Sequence, residues 1–517
     1  MILPGILAIT VGGCTEKAGD QPNILMCIAD DVSYPHMGDR CRWINTPAFN
    51  QVARDGILFS NAYTPNAKCG PSRSCILTGR NSWQLREAAN HFCFFPADIK
   101  TFPEALMENG YYVGYTGKGW APGDPGMKNG VKRELIGKDW NTLKTTPPTR
   151  TMSTVDYTAN FMEFYKNKPE GKPFFFWYGS HEPHRKYEYA SSLKAGKRSD
   201  DIEEVPPVFP DNDSVRTDLL DYALEIEYFD LHVERMIGFL KEQGELHNTI
   251  IVVTSDNGMP FPHAKSDAYD YSTHLPLAIM WGKGIKRKGR TADDYVSFID
   301  FAPTFLEVAG INPQQCGMMP VTGKSLVPLF RDLKPDKPFR DCVLVGKERH
   351  DVGRPRDMGY PIRGIIQDGW LYLVNYCNDL WPAGNPQTGY PTVSGGPTKT
   401  AVLHTRTEPS KNYLWEMSFG KRPSEELYFL KNDPHCISNL AGNPESLERK
   451  NGMRQTMENQ LRNEDDPRMF GNGDMFHEYL FSDPRWRNAY ERIVVQKEDL
   501  VLPWINASDM ENDWIDD

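Results

Sequence analysis

The chain has 517 residues, enough for a large domain and a smaller one. Its 58 Lys and Arg against 69 Asp and Glu give a net charge of -11, which excludes a nucleic-acid binder that works through a broad basic face. An anionic ligand then needs positive potential confined to a pocket, and no apolar run reaches the roughly 18 to 20 residues that cross a bilayer.

At the N-terminus, Ile2 to Val11 is short and apolar and leads through Gly12-Gly13 to Cys14 before turning polar. This pattern resembles a bacterial lipoprotein signal, with Cys14 the lipidated residue, although no Lys or Arg precedes the apolar stretch. The resemblance implies a segment 1–20 that directs export, a lipid anchor at Cys14, and a periplasmic or cell-surface location. The ten cysteines form no CxxC pair and no compact framework. Cys27, Cys342 and Cys377 fall in strand-like apolar runs, where a small buried hydrophobe is expected.

Five apolar runs read as strands: Asn23 to Ala29, Tyr111 to Thr116, Phe174 to Gly179, Thr249 to Thr254 and Leu277 to Trp281. Helical spacing covers Thr101 to Glu108, with Thr101 as N-cap and Pro103 in the first turn, then Tyr157 to Tyr165, then Ser214 to Leu246. The alternation predicts an α/β fold with a largely parallel sheet and helices on both faces. Near residue 360 the pattern changes. Gly364 to Val374 is two β-rich runs joined by Asp368-Gly369, a hairpin signal. A catalytic domain over 21–340 and a smaller C-terminal domain with an antiparallel sheet over 341–517 are therefore expected, with Pro382 to Pro397 a long loop.

In open α/β sheets, ligands bind at the carboxyl ends of strands. Two runs end in polar residues there: Asp30-Asp31 after the first, and Ser255-Asp256-Asn257-Gly258 after the fourth. Hard oxygen ligands of this kind suit calcium or magnesium, and clustered carboxylates repel one another without a cation. An Asp-Asp pair at a strand end also serves as a turn or helix cap. Cys69-Gly70-Pro71-Ser72-Arg73 reads by itself as a turn before a helix that begins near Ser74.

Cys69-Gly70-Pro71-Ser72-Arg73 followed by Thr78-Gly79-Arg80 is, however, similar to the signature of type I sulfatases. Asp30-Asp31, His181-Glu182-Pro183-His184-Arg185, Ser255 to Pro262, and Tyr360-Pro361-Ile362-Arg363 extend the likeness, as do Glu426-Leu427-Tyr428, Asn432-Asp433-Pro434 and Asn439-Leu440. It runs from about Asn23 to Asn443 and looks nearest to the heparan N-sulfatase (sulfamidase) branch. It implies an alkaline phosphatase-like mixed sheet flanked by helices, with a smaller α+β domain. It also implies a calcium ion held by Asp30, Asp31, Asp256, Asn257 and the residue at position 69. There a separate maturation enzyme converts Cys69 to formylglycine, whose aldehyde hydrate attacks sulfur.

The same resemblance casts Arg73 as the support of the nucleophile and Lys118 and Lys265 as holders of the sulfuryl oxygens. His181 assists the leaving group. His91, His184, Arg185, His263, Arg349 and His350 are candidate substrate contacts. One position departs: after Gly117-Lys118 the family carries a histidine where this chain has Trp120, and His263 is the candidate replacement. The expected substrate is a sulfated saccharide, with the N-sulfate of glucosamine in heparin or heparan sulfate leading. The alternatives are an O-sulfate on a glycosaminoglycan or other polysaccharide, and, in a different class, a non-catalytic glycan receptor. Trp120, Trp381 and Tyr390 offer rings for sugars, but most aromatic side chains in a chain this long are core.

Overall fold

The computed structural model describes residues 21–333 and 338–511. Cys14 and the segment 1–20, expected to direct export, lie outside the described residues. The larger sheet has eight strands: β1 (Asn23–Ala29), β2 (Ile57–Tyr63), β3 (Tyr112–Gly117), β4 (Lys138–Asp139), β5 (Phe174–Gly179), β6 (Thr249–Ser255), β7 (Leu277–Trp281) and β8 (Arg290–Ser297). Their order is β8-β2-β7-β6-β1-β5-β3-β4. Only β7 runs antiparallel to its neighbours. The central strands β1, β5 and β6 are buried along their whole length. Burial on both faces explains why each reads as an unbroken apolar run. β8, at the sheet edge with Arg290, Asp293 and Asp294, carries no such signal.

Successive β1 residues point to opposite cores. Leu25 and Cys27 face helices α1 (Pro47–Asp55), α4 (Tyr157–Lys166) and α5 (Asp213–Glu242). Ile24, Met26 and Ile28 face α2 (Cys69–Thr78), α3 (Phe102–Glu108) and α6 (Phe301–Val308). The N-cap of α3 is Thr101, which exchanges a capping box with Glu104. Asn212 caps α5 by accepting from the Val215 amide at 3.0 Å.

The helix expected to begin near Ser74 begins at Cys69. Pro71 fits in its first turn, where no backbone donor is needed. Ser74 donates to the Gly70 carbonyl at 2.8 Å instead of capping. Gly79 ends the helix in a left-handed conformation (φ 69°), its amide bonded to the Cys75 carbonyl.

A second sheet is antiparallel throughout, in the order β9 (Cys342–Lys347), β10 (Ile362–Gln367), β11 (Trp370–Asn375) and β12 (Glu425–Phe429). Asp368 (φ 52°) and Gly369 (φ 75°) turn the hairpin, both with the positive φ that a tight two-residue connection requires. One face packs on Met453, Met457 and Leu461 of α9 (Leu447–Asn463). The other packs on Tyr63, Ala268 and Tyr269 of the larger body. Cys27 and Cys342 are buried in strands as expected, whereas Cys377 lies beyond the end of β11 and is part-exposed. Among the described residues no helix is long and apolar enough to cross a membrane.

Register brings the functional ends together. Ala29 pairs with Ser255 and Ile28 with Gly179, so β1, β5 and β6 finish at one level. Beyond them β3 and β5 approach closely, with the Lys118 amide donating to the Gly179 carbonyl at 2.6 Å. A Cβ on Gly179 would lie 1.9 Å from the Lys118 carbonyl oxygen. Gly179→Ala is therefore expected to destabilise the protein by about 1–3 kcal/mol through forced backbone displacement, as read from urea unfolding.

Candidate active site

The carboxyl ends of β1 and β6 meet the N-terminus of α2. Asp30, Asp31, Asp256 and Cys69 are fully buried, and their ligand atoms lie within 4.8 Å of one another. The Asp31 backbone is left-handed (φ 83°), a conformation rare outside glycine that turns its amide onto Asp256 Oδ1 at 3.1 Å. Ser72 of α2 donates to the Asp256 carbonyl at 2.5 Å and pairs with Thr64 at 2.8 Å, tying the helix to the end of β6.

Three buried cations neutralise the three carboxylates. Arg73 donates to Asp256 Oδ2 at 2.8 Å and to the carbonyls of Lys118 and Gly119, each at 2.7 Å. Lys118 pairs with Asp30 at 2.5 Å, and Lys265 pairs with Asp31. Burial alone would raise the Asp30 carboxyl, but Lys118, His184 and Arg73 hold it well below the usual range. Asp256 is pushed up to about 6 by burial and by the Asp30 charge, against the pull of Arg73.

The donor set fits a divalent cation. Among the described residues, Asp31 Oδ2 and Asn257 Oδ1 are buried acceptors with no hydrogen-bond donor. Asn257 is oriented by its amide nitrogen, which donates to Asp31 Oδ1 at 2.6 Å. Two hard oxygens without donors, beside carboxylates that repel one another, are what a hard cation satisfies.

Cys69 donates to Asp30 Oδ1 at 3.3 Å, with the Lys265 amine 3.7 Å from its sulfur. Burial, then the Asp30 charge, pushes its thiol up to about 12, so it stays protonated and a poor nucleophile as it stands. Above it opens a cavity of about 570 Å³ whose wall includes Asp30, Lys118, His181 and His184. His181 is open to this space, although confinement by the walls and nearby Lys118 push its imidazole down to about 4. His184 hydrogen-bonds the Arg185 carbonyl through Nδ1 at 2.7 Å, leaving Nε2 free.

His91 lies in the wall beside Lys68. Asp351 bridges them, ion-paired with Lys68 at 2.6 Å and accepting from His91 Nδ1 at 3.1 Å, and among the described residues His91 Nε2 has no partner. Lys68, Asp351, Glu182 and Trp504 also line the cavity. Glu182 belongs to the His181 to Arg185 segment; the others carried no signal in the sequence beyond adjacency, Lys68 to Cys69 and Asp351 to His350.

Four expected substrate contacts are engaged elsewhere. The His263 ring is buried, stacked on Tyr269 at 4.5 Å, and bonded to the Met417 and His435 carbonyls, so it does not replace the missing histidine. Arg185 borders the cavity, but its guanidinium is consumed by a two-pronged pair with Asp218 (2.7 and 2.8 Å) and by the Pro260 carbonyl. Arg349 is buried and donates to the Tyr479 carbonyl, while its own carbonyl accepts the His91 amide. His350 Nε2 is bonded to Asn66 at 2.6 Å. Trp120 is buried edge-on to Phe95 and donates to Ser74 Oγ at 2.8 Å, bracing the first turns of α2. Trp381 and Tyr390 are core.

Because burial holds the His91 imidazole down at about 4, against the pull of Asp351, the folded state resists a proton that the unfolded chain takes near pH 6.5. Stability is full above that pH and falls as pH drops from 6.5 towards 4, by up to about 3 kcal/mol from this group. Melting temperature plotted against pH is expected to slope less steeply over this window in His91→Gln than in the unsubstituted protein.

The sulfatase family model matches residues 22–311, more than half of the chain. Human N-sulphoglucosamine sulphohydrolase is 26% identical over 471 residues, spanning 85% of this chain and 89% of the relative. A protein solved in complex with its substrate D-glucosamine-2-N,6-O-disulfate superposes with a TM-score of 0.62 at 20% identity, covering 86% of this chain and 98% of that one. The phosphonate monoester hydrolase of Agrobacterium radiobacter shares the fold at a TM-score of 0.57 and 16% identity, over 86% and 96% of the two chains. With its alkaline phosphatase-like mixed sheet and separate antiparallel sheet, the chain belongs to the sulfatase family and is a hydrolase of sulfate esters or sulfamates.

Proposed function

We propose that this enzyme releases sulfate from a sulfated glycan, with the N-sulfate of glucosamine in heparin or heparan sulfate as its first substrate. Cys69, once converted to formylglycine, would supply the nucleophile beside a calcium ion held by the neighbouring carboxylates. The observation that carries this reading is the inert thiol of Cys69 at the centre of a buried, charge-balanced ring. Burial and the Asp30 carboxylate push this thiol up to about 12, and an oxygen on the same Cβ would stand where the sulfur stands.

A cation held by Asp30, Asp31, Asp256 and Asn257 would supply Lewis acidity towards a sulfuryl oxygen. The chain's own groups do the rest. Arg73 keeps one buried nitrogen, Nη2, free of any hydrogen-bond acceptor, and this donor faces the Asp30 side of the ring at 3.9 Å. Lys118 and Lys265 stay charged because the anionic groups around each together more than offset its burial, so they can hold negative oxygens. His181, neutral and open to the cavity, would hydrogen-bond the sulfuryl group or the departing atom. His184, with Nε2 free, and His91 are its neighbours on the substrate side.

Every residue of α2 is buried, so a maturation enzyme must read Cys69 to Arg73 before the chain folds. We infer export, with lipidation at Cys14, from the N-terminal pattern alone. Specificity for an N-sulfate is supported by the human relative, while the 2-N,6-O-disulfated ligand of the structural relative keeps an O-sulfate as the second reading.

Peptide mass spectrometry of enzyme matured in a bacterial host is expected to show the Cys69 peptide as the aldehyde. Cys69→Ala should lower sulfate release from N-sulfoglucosamine by about 10³-fold or more. Persistently unmodified Cys69 in active enzyme would sink the mechanism. Chelation is expected to abolish turnover and lower the melting temperature, and added calcium to restore both.

A further inference from the structure

A second cavity, of about 830 Å³, adjoins the first and shares Arg185 and Lys186 with it as a common wall. Both volumes fall in the range of about 300–1,000 Å³ that small-ligand sites occupy. The first ends in the carboxylate ring, and the second extends from the Lys186 side across the N-terminal ends of α5 and α7 (Pro397–His404). Close approach of α7 depends on Gly396, where a Cβ would lie 2.4 Å from an Arg185 guanidinium nitrogen.

The chemistry of this space is that of a sugar-binding groove. Its two most buried carboxylates are already spent. Asp218 holds Arg185 and Thr398, and Asp221 accepts from Ser191, Ser192 and the Ala190 amide. Glu408 is paired with Lys411. What faces the space is a mixture of neutral donors and acceptors, Asn212, Ser214, Thr400 and Asn506, together with the exposed side chains of Asp213, Lys186 and His404 and the ring of Tyr189, 54% exposed. Mixed short polar groups match vicinal hydroxyls, and a flat ring with a polar tip suits the C–H face of a pyranose. Lys186, between the two cavities, would meet an acidic group at the junction.

We propose that this groove binds the sugar units that follow the one carrying the scissile sulfate, so that the enzyme acts on oligosaccharides in preference to a single sugar. The proposal rests on the sulfatase reading above, with Tyr189 and Lys186 as specificity-determining residues outside the reacting centre.

The test compares sulfate release from N-sulfoglucosamine with release from a heparin-derived tetrasaccharide bearing the same sulfated sugar at its non-reducing end. The unsubstituted enzyme is expected to favour the tetrasaccharide by about tenfold in kcat/KM. Tyr189→Ala and, independently, Thr400→Trp, which fills the groove from α7, should bring that ratio towards one. Equal rates on both substrates, or a ratio that neither variant moves, would overturn the groove while leaving the sulfatase reading intact. If neither substrate releases sulfate, the reading of the reaction fails. Calorimetric titration with the tetrasaccharide then decides the groove: binding weakened in both variants supports it, and no binding overturns it.

Discussion

Three carboxylates and three cations pair directly with one another in the protein interior. Removing any one of these ions from water costs several kcal/mol, and leaving one uncompensated inside is more damaging than never burying the pair. Asp30 with Lys118, Asp31 with Lys265 and Asp256 with Arg73 therefore stand or fall as a set. Much of the surrounding architecture keeps their separations fixed. The register of β1 with β6 sets Asp30 and Asp31 level with Asp256, and the close contact at Gly179 delivers the Lys118 carbonyl to Arg73. Ser72, Thr64 and Trp120 hold α2 against the strand ends.

The same balance gives the site its selectivity. A ring with equal numbers of opposite charges becomes positive when a divalent cation joins it, and it then favours an anionic group entering from the cavity. This reconciles an acidic chain of net charge -11 with an anionic substrate, because the positive potential is local. Cys69 is set apart by its surroundings: the carboxylate that would hold a metal also keeps the thiol protonated.

The histidines divide by what their second nitrogen meets. Among the described residues His181 and His184 line the cavity with a ring nitrogen uncommitted and His91 keeps a buried one without a partner, while His263 spends both on backbone carbonyls. Trp120 stands where the resemblance implies a histidine, with an indole that serves packing and one hydrogen bond to Ser74, and the Lys265 amine lies 3.7 Å from the Cys69 sulfur. Arg185, consumed by Asp218, shapes the wall between two cavities without presenting its charge to either.

Sequence alone determined the strands β1, β5, β6 and β7, because strands buried on both faces must be apolar throughout, and it placed Asp30, Asp31, Asp256 and Asn257 just beyond two of them. It also determined the α3 cap and the Asp368-Gly369 hairpin, which rest on local backbone chemistry. The polar edge strand β8 escaped it, since an edge needs no apolar run. Only the tertiary structure decided that α2 starts at Cys69, that Lys68 and His91 converge on Asp351, and that His263, Arg349 and His350 turn away from the cavity. Such outcomes depend on side-chain direction and on the docking of the small sheet against the large one. Those contacts join residues far apart in the chain, and no short pattern of residue types encodes them.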